Sequence, residues 1–198
     1  MSPSSVRLAG ALGVLGGAVF LAAFVVEIPD GWNTVRLVLW FVGSIAVAAG
    51  TFPVNARVSR PLARIGSGAV VVTTGAWLAW LLLAQGRPSP FSGEFGLAGF
   101  WITTASTVGT VVFGLIATRL GVVWRPASIA LAIGTALGYL GVGQLRLTSA
   151  EAPTIVGTLA MAGLALAALA WIALGLELAL PRRGAPGVRP VATLTGDA

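Results

Sequence analysis

Apolar residues in this chain run in six long blocks, separated by short clusters rich in Pro, Gly and Arg. The blocks lie at about Val6–Val26, Val35–Phe52, Ile65–Ala84, Gly96–Thr118, Val123–Gly143 and Thr154–Leu180. Each approaches the roughly 20 residues that carry a helix across a bilayer core of about 30 Å. Lipid offers no partner to a backbone N–H or C=O, so a spanning segment must satisfy its own hydrogen bonds. A barrel strand would alternate apolar and polar positions, and these blocks do not alternate. The pattern therefore predicts an all-α, polytopic integral membrane protein, a bundle of about six transmembrane helices in three hairpins. The expected division is one six-helix domain over 1–181 and a flexible cytoplasmic tail over 182–198, where no apolar periodicity remains.

The connections are short. Pro29-Asp30-Gly31 and the stretch from Gly86 to Pro90 read as turns at one end of the bundle, and Pro53, Pro61 and Pro126 as turns or first helical positions at the other. Glu27-Ile28-Pro29-Asp30 follows the first block in place of a small-x-small cleavage site, so that block is expected to be a retained helix. Arg-Pro recurs at Arg60-Pro61, Arg125-Pro126 and Arg189-Pro190 with spacings of 65 and 64 residues, but a fourth copy at Arg87-Pro88 breaks the period and the intervening sequences show little further likeness.

Composition sharpens this picture. The chain is 57% hydrophobic and 9% charged, against about 25% charged in soluble domains. It has no Cys, no His and no Lys, since all twelve basic residues are Arg. Thiolate chemistry, histidine ligation of haem or zinc, and Schiff-base catalysis on lysine are thereby excluded. No carboxylate pair lies mid-membrane for acid–base work, and no phosphate-binding Gly loop with its Lys is present. No enzymatic activity and no cofactor are expected. The bias toward Ala, Gly, Val and Arg without Lys is that of a GC-rich genome and suggests a bacterial cell membrane.

Charge placement predicts orientation. Nine arginines (Arg7, Arg57, Arg60, Arg64, Arg119, Arg125, Arg182, Arg183 and Arg189) fall at one end of the bundle, and three (Arg36, Arg87 and Arg146) at the other. The positive-inside rule then puts both termini in the cytoplasm. The net charge of +6 reads as a topology signal beside apolar segments, with no nucleic acid implied.

Few positions carry candidate chemistry. The fourth block holds Thr103, Thr104, Ser106, Thr107, Thr110 and Thr118. On a helical wheel Thr103, Thr107, Thr110, Gly114 and Thr118 share one face, with Ser106 beside it. Such hydroxyls either bond carbonyls one turn back and pack between helices, or line a path for a small polar solute. In both cases the face is expected to turn inward, more buried by protein than Val111 or Val112. Twelve of the sixteen aromatics lie toward the end away from the termini. An interfacial belt is the first expectation; the alternative is an outward-opening apolar pocket, with Trp77 and Trp80 on one face with Thr73. Glu177 is expected to form an interfacial ion pair with Arg119, Arg125 or Arg182, and Glu27 to pair with Arg36 across the first hairpin. The small-residue motifs Gly13/Gly17 and Gly134/Gly138 are expected to pack helices within the bundle.

No motif names a family. Two functions remain expected: an interaction or accessory protein whose partners are the lipid bilayer and another membrane protein or a second copy, or a small-solute transporter or channel-like protein using the hydroxyl face of the fourth helix.

Overall fold

The structure, a computed structural model, describes residues 2–22, 32–51, 60–84, 93–121, 123–147 and 154–180. The described residues form six helices: α1 (Pro3–Ala22), α2 (Trp32–Thr51), α3 (Arg60–Ala84), α4 (Gly93–Leu120), α5 (Arg125–Leu147) and α6 (Thr154–Ala179). The turns at 29–31 and 86–90, Glu27 and the tail over 182–198 lie outside the described residues.

Five helices (α1, α2, α3, α4 and α6) are long and apolar enough to cross a membrane. α5 is not among those five, yet its 23 residues span about 35 Å at 1.5 Å per residue. It packs along both α4 and α6 as a full member of the bundle. Large apolar side chains point outward, Val72 at 70% exposure and Ile155 at 74%. A water-soluble surface does not carry such residues on every helix, whereas lipid accepts them. α6 is apolar on all faces, which suits a helix with lipid on one side and neighbours on the other. The chain is a multi-pass helical membrane bundle.

Successive helices run antiparallel and pack in chain order, and α6 returns onto α1, closing a ring. Small residues set the closest seams. A Cβ on Gly10 would lie 2.5 Å from the Ala179 amide nitrogen of α6, and one on Gly16 2.5 Å from the Leu39 carbonyl oxygen of α2. Gly13 and Gly17 likewise face Val47 of α2 and Ile172 of α6, while Gly134 and Gly138 of α5 meet Gly163 and Leu164 of α6. Both small-residue motifs are thus used inside one chain. The α2–α3 seam is the least extensive in the ring.

The two halves of the ring are packed differently. Toward the end bearing the termini, Val47, Val70, Phe113, Leu131 and Leu174 are fully buried. Phe113 stacks on Trp171 with ring centroids 5.6 Å apart. α4 stops at Gly121, whose φ of 60° suits a residue without Cβ. Arg125-Pro126 opens α5, where Pro lacks only an N–H that would be unpaired anyway. The Glu177 carboxylate of α6 accepts the Trp124 N–H at 2.7 Å, placing a negative charge at the start of α5. That backbone amide is one contact of Glu177; an ion pair with Arg119 or Arg125 is not among the described contacts, and Arg182 lies outside the described residues. This end is closed, and the other half is not.

A candidate ligand cavity between the six helices

Above the buried cluster the ring leaves a half-open cavity of about 350 Å³ to which every helix contributes a side chain. The hydroxyl face of α4 forms one wall, with Thr103, Ser106, Thr107 and Thr110 all lining the space. Thr103, Thr104, Thr110 and Thr118 each donate to the carbonyl one turn back, at 2.7–2.9 Å. Self-bonding does not use up these hydroxyls, because an oxygen that donates along its own helix can still accept from a neighbour. Trp77 Nε1 of α3 donates to Thr103 Oγ1 at 2.7 Å. Tyr139 of α5 meets Thr104 Oγ1 at 2.6 Å. Since Thr104 donates to Phe100 O, the phenol is the donor in that pair. Thr74 and Ser106 lie 3.4 Å apart, at the long limit for a hydrogen bond.

Burial on α4 departs from the expected order. Thr110 and Gly114 are buried, but Thr103 and Thr107 are only half-buried, in the same class as Val111 and Val112. The reason is that the upper part of the hydroxyl face meets open space, while Gly114 meets the α5 backbone at Ser128. Further hydroxyls reach the cavity from Ser44 on α2, Thr74 on α3 and Thr135 on α5. None was legible alone, because a single Ser or Thr in an apolar span looks like a packing residue. Their shared signal is depth, since each sits near the middle of its helix.

The aromatic walls correct the expectation of a simple belt. Phe20, Trp40, Phe41, Trp77, Tyr139 and Trp171 line the cavity. Phe20 and Trp40 have centroids 4.3 Å apart, and Phe41 and Trp77 4.5 Å apart across the α2–α3 seam. Trp80 lies behind Trp77 at 5.8 Å, buried against Gly99. Only some rings behave as a belt, such as Trp101 and Trp124, which face outward. Aromatic side chains gain more from burial around one another than lipid gives them, and the ring of helices supplies that site.

Among the described residues one cation lines the cavity. Arg36, in the second turn of α2, places its guanidinium carbon 5.5 Å from the Phe20 ring centre, within cation–π range. Its Nε is buried and has no hydrogen-bond partner. Glu27, expected to pair with Arg36, lies outside the described residues. Comparison with models of protein families, with curated proteins and with solved structures finds no match. The site therefore has to be read from its own chemistry. Among the described residues no three metal-ligating side chains come together. What the cavity offers is an apolar, ring-lined volume with hydroxyls along one wall and a guanidinium near the end remote from the termini.

Proposed function

We propose that the protein binds a small organic molecule in the cavity between its six helices, as a membrane carrier or receptor for that molecule. The observation that supports this most directly is the contrast between the two halves of one ring. Near the termini the same helices close-pack to full burial; in the other half they leave about 350 Å³. That volume is at the small end of the range for ligand sites, roughly 300–1,000 Å³, and the mix of apolar walls with a few directed polar groups is their usual chemistry. An accessory protein with no ligand of its own has no need of such a space, which large side chains would fill at a gain in packing. A channel-like pore is disfavoured by the fully buried cluster beneath the cavity. The arginine asymmetry favours cytoplasmic termini, and in that orientation the cavity faces the outer side of the cell membrane.

The test is retention. Wild type and Thr107→Phe, which fills the space from the α4 wall, are purified from native membranes in mild detergent, and small molecules are extracted and identified by mass spectrometry. Wild type is expected to retain a compound that the filled variant lacks. Identical extracts from two folded proteins would count against the reading.

A further inference from the structure

Arg36 is the feature of the cavity that packing does not explain. A guanidinium at the wall of an apolar space is costly unless something anionic or strongly polar meets it. The described acids do not supply this. Glu94 is exposed in the first turn of α4, and Glu177 sits at the opposite end of the bundle on the Trp124 amide. Among the described residues no acid lines the cavity. The face of the Phe20 ring holds the guanidinium from one side, but a ring is a weak partner that accepts none of the N–H donors lying in the guanidinium plane. The Arg36 Nε is in fact buried without an acceptor. Arginine is also the cation best fitted to a planar or tetrahedral oxyanion, which it meets with two parallel donors.

Resting on the reading of the cavity as a ligand site, we infer that its ligand is an anionic amphiphile: a carboxylate- or phosphate-type head on Arg36 and an apolar body among Trp40, Trp77 and Trp171. The volume limits the body. At roughly 30 Å³ per water-sized atom, about a dozen non-hydrogen atoms fill it, the size of one ring with a short acid chain. Within the hydroxyl wall, Thr103 and Thr110 do not compete for the charge, because they already donate along their own helix. The anion has two sources with the same chemistry, a free small organic acid or the head of a bilayer lipid with part of its chain in the cavity.

The experiment measures binding of 4-phenylbutyrate and of its neutral amide, 4-phenylbutyramide, by calorimetric titration. The purified protein is held in nanodiscs of phosphatidylcholine alone, and in discs with added phosphatidylglycerol. In the zwitterionic discs the carboxylate is expected to bind about tenfold more tightly than the amide. Arg36→Gln should bring the two to near equality, Arg36→Lys should keep part of the preference, and the amide should be unaffected by either change. If phosphatidylglycerol abolishes carboxylate binding in wild type and has no such effect on the amide in Arg36→Gln, the anion on Arg36 is a lipid head group. Carboxylate and amide binding equally, both lost in Thr107→Phe, would overturn the anion assignment and leave the cavity reading intact. Neither compound binding in either disc, with the protein folded, would overturn both.

Discussion

Thr103 holds two helices together with one oxygen. Its hydrogen is given to Gly99 O, and its lone pairs accept the Trp77 indole N–H, both at 2.7 Å. Thr107, one turn further along α4, lines the cavity and makes no hydrogen bond to another described residue. The two threonines are alike in sequence context, yet their replacement by the near-isosteric Val should differ. Thr103→Val leaves a half-buried indole N–H without its acceptor. Interhelical hydrogen bonds in membranes average about 0.6 kcal/mol, whereas a stranded buried donor costs about 1–3 kcal/mol. Water in the cavity moderates the second figure, so a loss of about 1 kcal/mol is expected. Thr107→Val should stay within about 0.5 kcal/mol of wild type. Reversible unfolding in mixed micelles, followed by tryptophan fluorescence, measures both. Equal losses would show that the Trp77–Thr103 bond contributes nothing special.

At the level of helices, stability is concentrated at seams of backbone contact. A Cβ on Gly163 of α6 would lie 2.6 Å from the Gly138 nitrogen and 2.8 Å from the Gly134 carbonyl oxygen of α5. Backbone atoms cannot rotate aside, so Gly163→Ala must push the two helices apart, at a cost of about 1–3 kcal/mol. On α3 a Cβ at Gly68 or Gly75 meets nothing within 4 Å. Gly68→Ala and Gly75→Ala should be neutral or stabilising by up to about 1 kcal/mol, since Ala is the better helix former. Thermal unfolding of the three variants in one detergent checks the contrast; a stable Gly163→Ala would mean that the α5–α6 seam is looser than described. The existence and order of the helices were legible because hydropathy marks what lies in lipid. Their ends were less so. α3 begins at Arg60 and not at Ile65, and α4 at Gly93 and not at Gly96. A helix continues by its own hydrogen bonds past the point where charged residues leave the hydrocarbon, and hydropathy is blind to that. The cavity was less legible still. The α4 hydroxyls could be placed on one face, but Ser44, Thr74 and Thr135 join them only through the ring closure of α6 on α1, which no local pattern encodes.

For the molecule as a whole, the arginine asymmetry and the packing asymmetry lie along the same axis. The end with most of the arginines carries the sealed cluster; the cavity lies toward the end with few. If the positive-inside rule holds here, the closed half faces the cytoplasm and the open half the outside. The chain has no cysteine, so single cysteines can be introduced without removing any background. Thr107→Cys lies on the cavity wall, Ser128→Cys in the fully buried cluster, and Ser2→Cys at the exposed start of α1. A membrane-impermeant methanethiosulfonate added to intact cells should label Thr107→Cys. Ser2→Cys should react only after permeabilisation, and Ser128→Cys in neither condition, because its site admits no water and a thiol reacts as the thiolate. Labelling of Ser2→Cys in intact cells, with Thr107→Cys protected until permeabilisation, would invert the orientation and place the cavity on the cytoplasmic side. Labelling of Ser128→Cys from the same side as Thr107→Cys would show that the buried cluster opens, turning the cavity into one half of a continuous path and favouring a carrier over a receptor.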